Sequence, residues 1–569
     1  MRLFPAFLLA PLSLAGQGGL VPIYQIPPAT APTPHYAAED LCSVEGRLVN
    51  SVTGEPVRRG TLSLLRVKAA GGVPGYAANS DADGRFALQN VEPGKYSLTS
   101  DRNGFMTAWY GADGSFRHST LLTLDRGQKL TGVVLKMTPK GVVAGRILDE
   151  SGEPVSNAVV WLARFQHVQG RKELEPTGGS TFTNDLGEYR VFDVSPGKYY
   201  LSARYLPRMA GLLNLTRAPQ DEEEYVTTYF PGTADIASAA PIEVGPGGQI
   251  QSANLRLLRL RTVRIKGKVT GLPPLDHVAG ISLTLLPRSS PNYPEMNRVA
   301  SIGPGATFEI AGVSPGAYTL VATVYARSET HIDSYSVRQP LDAGAADLNG
   351  VVVAVAPPLE VNGRIRVEGT APASLKGLTV TLMSPESYGG FGSKPLDGDL
   401  TFKLENVYRD RYYVSASPLP DGYYLKAVRA GSVDALAAGL DLTGGAAPPL
   451  DIVIGANAAR VTGVVRSDDP QRAVAGSTVA LIPQEKERRG RESYYKTTPA
   501  GDDGRFAFRD VPPGEYKLFA WEEVESDAYL DPEFVQPQES KGEAVTVHEG
   551  DRLNVQVKLI PAEPAEGSR

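Results

Sequence analysis

The chain has 569 residues, 42% of them hydrophobic, and a formal net charge of −6. That apolar content excludes a disordered chain, and the weak acidic balance excludes nucleic acid as the main partner, because phosphate contacts need clustered Lys and Arg. The 60 glycines and 45 prolines are spread across turns, which fits an all-β protein.

Residues 1–15 read as a secretory signal peptide. Arg2 supplies a positive start, Leu3 to Leu14 form a short apolar stretch, and Ser13-Leu14-Ala15 suits cleavage before Gly16. The stretch is too short to cross a bilayer, and no later run reaches the ~20 apolar residues of a membrane helix. No cysteine lies near the cut, which argues against a lipid anchor. The expectation is therefore a protein that is secreted, periplasmic or held at the cell envelope. Residues 16–40 are rich in Pro, Gly and Ala and read as a linker. Cys42 is the only cysteine, so no intrachain disulfide can form. It is either a partly buried small apolar residue or a site of intermolecular pairing.

From residue 41 the chain repeats itself. Each repeat opens on an apolar-x-Gly-x-apolar strand: Val44/Gly46/Leu48, Val143/Gly145/Ile147, Ile265/Gly267/Val269, Val361/Gly363/Ile365 and Val461/Gly463/Val465. The glycines are 99, 122, 96 and 100 residues apart. Alternation by two buries one face, and a glycine on that face leaves room for a neighbour; the expectation is that the repeat aromatic packs over it. Turn punctuation follows in the first two repeats as TGEPV at 53–57 and SGEPV at 151–155. A second strand carries Ala158/Val160/Leu162, Leu283/Leu285, Val380/Leu382 and Val479/Leu481 in the later repeats.

The strongest signal comes next. An aromatic residue is followed ten positions later by a tyrosine, with a valine halfway. The sets are Phe86/Val91/Tyr96, Tyr189/Val194/Tyr199, Phe308/Val313/Tyr318, Phe402/Val407/Tyr412 and Phe506/Val511/Tyr516. This spacing predicts a hairpin whose two inward faces close a core. Pro-Gly precedes the tyrosine in four repeats; Arg409-Asp410 replaces it in the fourth, where a different turn is expected. A closing strand ends each repeat: Val133/Leu135, Leu255/Leu257, Val351/Val353, Ile452/Ile454 and Val555/Val557/Leu559. No stretch has a sustained helical period. The predicted organisation is five β-sandwiches, at 41–138, 139–260, 261–357, 358–456 (divergent) and 457–563, before a tail at 564–569.

The frame VEGRLV…SVTGEPV…SDADGRFALQNVEPGKYSL resembles the carboxypeptidase regulatory-like domain, a transthyretin-like β-sandwich. The first, second and fifth repeats carry the pattern fully, the third moderately and the fourth weakly. The stretches TTYFPGTADIASAAPIEV at 227–244 and FAWEEVESDAYLDPEF at 519–534 are similar to secreted bacterial proteins built of such domains in tandem. The resemblance implies a fold without catalytic residues of its own. In metallocarboxypeptidases a similar domain accompanies the enzyme without performing the chemistry.

The residues carry no enzyme signature. A zinc carboxypeptidase needs His-x-x-Glu, which none of His35, His118, His167, His277, His331 and His548 provides; all six read as surface residues. No nucleophile elbow or phosphate loop is present. Asp81, Asp83, Asp502 and Asp503 sit at hairpin turns, in clusters too small for a calcium shell. The hairpin also resembles that of Gram-positive pilin modules with Lys–Asn crosslinks. There a buried Glu lies about four residues after the tyrosine; here the positions hold Ser100, Ala203, Ala322, Ala416 and Ala520. No cofactor is expected.

Loop aromatics are the remaining candidates: Trp109, Tyr110, Tyr229, Phe230, Tyr423, Tyr424, Trp521 and Tyr529. Exposed rings could stack on sugars; the alternative is that they seal sandwich edges or the seams between neighbours. The sequence thus points to a non-enzymatic structural, adhesion or binding protein. Its rigid modules would stack in an extended series and meet an envelope protein or polysaccharide. The alternative is an extracellular carbohydrate-binding protein using the loop aromatics, a reading that a carbohydrate-binding-like fold would favour.

Overall fold

A computed structural model describes residues 36–67, 75–111, 121–168, 170–205, 223–274, 277–288, 298–327, 332–372, 374–384, 390–396, 400–469, 472 and 474–562. The expected signal peptide, most of the linker, the tail, and His35, His118 and His331 lie outside these residues. The described chain is all-β, and its α-helices have four residues each.

One pairing pattern recurs along the chain. Strand Cys42–Asn50 lies between Arg85–Val91, antiparallel to it, and Lys129–Met137, parallel to it. Gly141–Leu148 sits likewise between Glu188–Val194 and the short strands Gln249–Ile250 and Leu255–Arg256. Val263–Thr270 lies between Thr307–Val313 and Leu348–Ala354. Leu359–Glu368 lies between Thr401–Val407 and Leu450–Ala456, and Ala459–Arg466 between Arg505–Val511 and Arg552–Ile560. A second sheet forms opposite, where the tyrosine strand pairs antiparallel with the second strand of the repeat, as in Gly94–Asp101 with Thr61–Arg66 and Gly514–Trp521 with Thr478–Pro483.

The buried side chains fall into five principal clusters in chain order, each drawing on both sheets. In the first, Val44 and Leu48 meet Leu62, Leu64, Tyr96 and Leu98. The second, third and closing strands anticipated from alternation are all present.

The opening glycines owe their identity to close approach. A Cβ at Gly46, Gly267 or Gly463 would stand 2.0 Å from the carbonyl oxygen of the parallel strand (Val133, Val351 and Val555) and under 3.0 Å from the ring of Phe86, Phe308 or Phe506. At Gly363 the Phe402 ring is the nearer obstacle, 2.2 Å away. The expected aromatic cover is thus present in four repeats. In the second, the Ala253 carbonyl takes the space beside Gly145 and accepts the Tyr189 hydroxyl at 2.6 Å.

The ten-residue interval has two physical causes. First, the tyrosine hydroxyl closes its own turn by donating to the carbonyl four residues back. These bonds are Tyr96 to Glu92 at 2.7 Å, Tyr199 to Ser195 and Tyr318 to Ser314 at 2.8 Å, and Tyr412 to Tyr408 and Tyr516 to Pro512 at 2.9 Å. Second, the residue before each midpoint valine is left-handed: Asn90, Asp193, Gly312, Asn406 and Asp510, at φ from 55° to 68°. Only Gly, Asn and Asp visit that region routinely. The extra residue makes a bulge, visible where Cys42 pairs with Val91 but Val44 with Leu88, and it turns the valine inward. The valines are at most 1% exposed. In the fourth repeat the turn keeps this hydroxyl bond, but with Arg409-Asp410 in place of Pro-Gly the tyrosine strand starts one residue later, at Arg411. A second divergence lies further on, where Tyr423–Ala430 joins the first sheet beside Leu450–Ala456.

Candidate functional site

None of the eight loop aromatics is exposed. Trp521 is 2% exposed, stacks on Phe519 at 5.1 Å and donates from Nε1 to Gln538 Oε1 at 2.6 Å. Tyr229 packs with Val159, Trp161, Ala163 and Leu174, and Phe230 against the second core. Tyr110 packs on the first core and Tyr529 beside the Trp521 cluster. Tyr424 is buried and donates to Glu549 Oε1 at 2.5 Å, while Tyr423 donates to the Thr370 carbonyl at 2.9 Å. The expectation of open stacking faces is therefore corrected for Tyr229, Tyr424 and Trp521. Their rings cover apolar sheet surface that would otherwise meet water.

This covering follows from the strands beneath. Ala158–Val168 and Thr478–Pro483 are apolar on both faces at their inner ends, and the outward residues Trp161, Ala480 and Ile482 need cover. A continuous apolar run marks a strand buried on both sides. AVVWLA and VALI carried that signal in the sequence.

Trp109 lines an open groove of about 840 Å³. It pairs with Thr99 on the tyrosine strand and shares the groove with Arg59, Asp101, Arg102, Lys140 and Asp193. Arg102 lies 5.4 Å over the Phe105 ring, and Asp101 Oδ1 accepts from Thr107 Oγ1 at 2.5 Å. The groove offers two half-buried rings, Trp109 and Phe105, and hydrogen-bonding groups of both charges.

The chain also meets itself at a place the sequence did not announce. His167 turns Nδ1 to Glu525 Oε2 at 3.0 Å and Nε2 to Asp531 Oδ2 at 3.2 Å, with the Phe534 ring edge-on at 6.0 Å. Its side chain is 12% exposed, so the expectation of a surface histidine is corrected here. Further along, Glu549 accepts from Tyr424 and from Lys426 Nζ at 2.9 Å, and these bonds hold its carboxyl below the usual range. Ser334 Oγ and the Tyr408 hydroxyl lie 2.7 Å apart.

The turn aspartates are occupied by backbone. Asp81 Oδ1 accepts from the amides of Asp83 and Arg85, and Asp503 Oδ1 from that of Arg505. Ser100, Ala203, Ala322, Ala416 and Ala520 are all buried. Among the described residues no group of three His, Cys, Asp or Glu could hold a metal ion, and no helix is long and apolar enough to cross a membrane. Cys42 is buried, with Sγ 2.9 Å from the Asp125 carbonyl oxygen.

No protein-family model and no curated protein matches the chain. Among solved structures, the Bacillus anthracis TIE protein matches at 12% identity over 73% of this chain and 72% of that one, with a TM-score of 0.16. A streptococcal ancillary pilin matches at 11% identity over 52% of this chain and 99% of its own, with a TM-score of 0.19. BcpA, the major pilin subunit of Bacillus cereus, matches at 10% over 55% and 99%, with a TM-score of 0.14. At these scores the overall arrangements are not shared, and no function is taken from the matches.

Proposed function

We infer that the chain is a non-enzymatic structural or adhesion protein, exported to the cell envelope or beyond, built from five tandem β-sandwiches of the carboxypeptidase regulatory-like kind. The observation that carries this reading is the fivefold hairpin. Its repeated polar groups, the tyrosine hydroxyls, are spent on the turn carbonyls four residues back. What recurs in the sequence therefore serves folding, and binding falls to surfaces that differ from repeat to repeat. The partner would be an envelope protein or polysaccharide.

The bonds from His167 to Glu525 and Asp531 join the strand Ala158–Val168 to a loop more than 350 residues further on, which supports modules that fold back over an extended rod. Pull-down from native envelope with the full chain tests the adhesion reading, and recovery of no protein or polysaccharide sinks it. Small-angle scattering tests the arrangement: the wild-type chain should be compact and His167→Ala more extended. A rod-like wild type would overturn the folded-back form.

A second reading, extracellular carbohydrate binding, keeps one observation in its favour, the Trp109 groove. Glycan-array binding that is lost in Trp109→Ala would support it; an array blank with the wild-type chain would remove it.

A further inference from the structure

Strand Arg411–Ser417, the following segment 419–436 and the segment 486–496 line a cavity of about 960 Å³, together with Arg171 and Leu530. Its wall has two characters. Leu419, Leu425 and Leu436 make an apolar side. The other side is cationic: Arg171, Lys486, Arg491 and Lys496 line it together with Glu492 and Asp510, and Arg489 lines it while paired with Glu539 at 3.1 Å.

Two of these cations, Arg491 and Lys496, have no carboxylate at ion-pair distance among the described residues. Arg491 is 5% exposed, donates to the Ala437 carbonyl at 2.7 Å and lies 4.8 Å over the Tyr413 ring. No carboxylate pairs with it among the described residues. Lys496 is half-buried, and its ammonium has no hydrogen-bond partner among the described residues. Burial pushes it below the usual lysine range, and only the Asp510 carboxylate opposes that. Asp510 Oδ1 is itself engaged by the Gly422 amide at 2.6 Å. The hydroxyls of Tyr413 and Tyr494 likewise have no hydrogen-bond partner among the described residues. A partly desolvated ammonium with no acceptor is costly, and an anion entering beside it would remove that cost.

We propose that this cavity binds a small amphipathic carboxylate, with its anionic head at Lys496 and Arg491 and its apolar body along Leu419, Leu425 and Leu436. The volume suits a single compact organic ligand, since such sites run about 300–1,000 Å³. The proposal is independent of the adhesion reading, because it needs neither envelope attachment nor a macromolecular partner.

Calorimetric titration of the full chain with octanoate, octanol and octylammonium tests it, since the three share a body and differ in head charge. Octanoate should bind at least about tenfold more tightly than either of the others, the worth of one charge-assisted hydrogen bond. Lys496→Met should weaken octanoate by a similar factor and leave octanol unchanged. Ser415→Trp, which fills the cavity from the strand Arg411–Ser417, should abolish binding while hydrogen-exchange protection of that strand persists. Equal binding of the three probes, no octanoate binding by the wild type, or undiminished binding in Lys496→Met overturns the proposal.

Discussion

The repeated hairpin and the segment that follows it obey different rules. The hairpin keeps one geometry five times, down to the hydroxyl bond and the left-handed residue before the valine. The following segments each end on a strand paired with the start of the tyrosine strand, but they differ in the route they take to it. In the third repeat the chain returns as one long strand, Ile332–Ala343, along Gly316–Arg327. In the fourth, Tyr423–Ala430 crosses to the first sheet. In the fifth, short helical turns at 528–541 lie over Trp521 and Phe519. The difference separates what closes a core from what makes contacts. His167's partners, the Glu549 bonds of Tyr424 and Lys426, and the Trp109 groove all involve these variable segments or the loops beside them.

The sharpest way to break this comparison is to disturb the invariant half. Gly463→Ala would set a Cβ 2.0 Å from the Val555 carbonyl oxygen and 2.5 Å from Phe506 Cζ. Backbone cannot yield there without parting Ala459–Arg466 from Arg552–Ile560. The expected loss is about 4 kcal/mol or more, at the severe end for a single substitution. Hydrogen exchange in the full chain should show the last core losing protection while the first four keep theirs. Gly46→Ala and Gly267→Ala should each do the same to their own repeat. Intact protection in all three variants would remove the close-approach account.

Disturbing the variable half should act at one place only. Trp521→Ala would strip the ring from Phe519 and leave Gln538 without its donor. Large aromatic truncations in a buried site cost about 3–5 kcal/mol, and the low end is expected because the site lies on the outer face of the sheet. Exposure should spread through 528–541, while the Tyr516 core beneath remains protected. Loss of protection on both faces would mean that the cover and the core form one cooperative unit.

The tyrosine hydroxyl offers a finer cut. Tyr516→Phe keeps the ring in a site 1% exposed and removes only the bond to Pro512. A loss of about 1 kcal/mol is expected, and the same substitution at Tyr96 should give a similar value. Very unequal losses at the two positions would show that the hairpins, though alike in form, do different jobs.

The hairpins were legible in the sequence because a core-facing strand must alternate and a tight turn must use particular residues. The aromatic, the valine and the tyrosine are all inward-facing, so their spacing survives as a pattern. The bulge is marked too, by the Asn, Asp or Gly before each valine. The burial of Trp521 and Tyr229 is not, because a ring in a loop carries no mark of what lies opposite it. The continuous runs in Ala158–Val168 and Thr478–Pro483 were the available clue. The His167 contact left no trace, since Glu525 and Asp531 are ordinary acidic residues until the fold brings them to that imidazole. The same holds for Lys496 and Arg491.

The smallest expected effect separates paired surface charge from the buried devices above. Asp451, in the closing strand of the fourth repeat, accepts from Arg366 at 2.7 and 2.9 Å and from Arg364 at 3.3 Å. The Arg366 bonds, more than any other cause, hold its carboxyl below the usual range. A carboxyl lowered in the folded state stabilises above its unfolded pKa, and that contribution fades as pH falls through the lowered value. Both partners are well solvated, so the contribution is slight and screened by salt. In low salt, acid titration followed by hydrogen exchange at Leu450–Ala456 should show a small loss of protection below the usual carboxylate range. In Asp451→Asn protection should start lower and lack that acid step. An identical acid profile in the two proteins would assign the step to other carboxylates and leave the closing strand held by its apolar face alone.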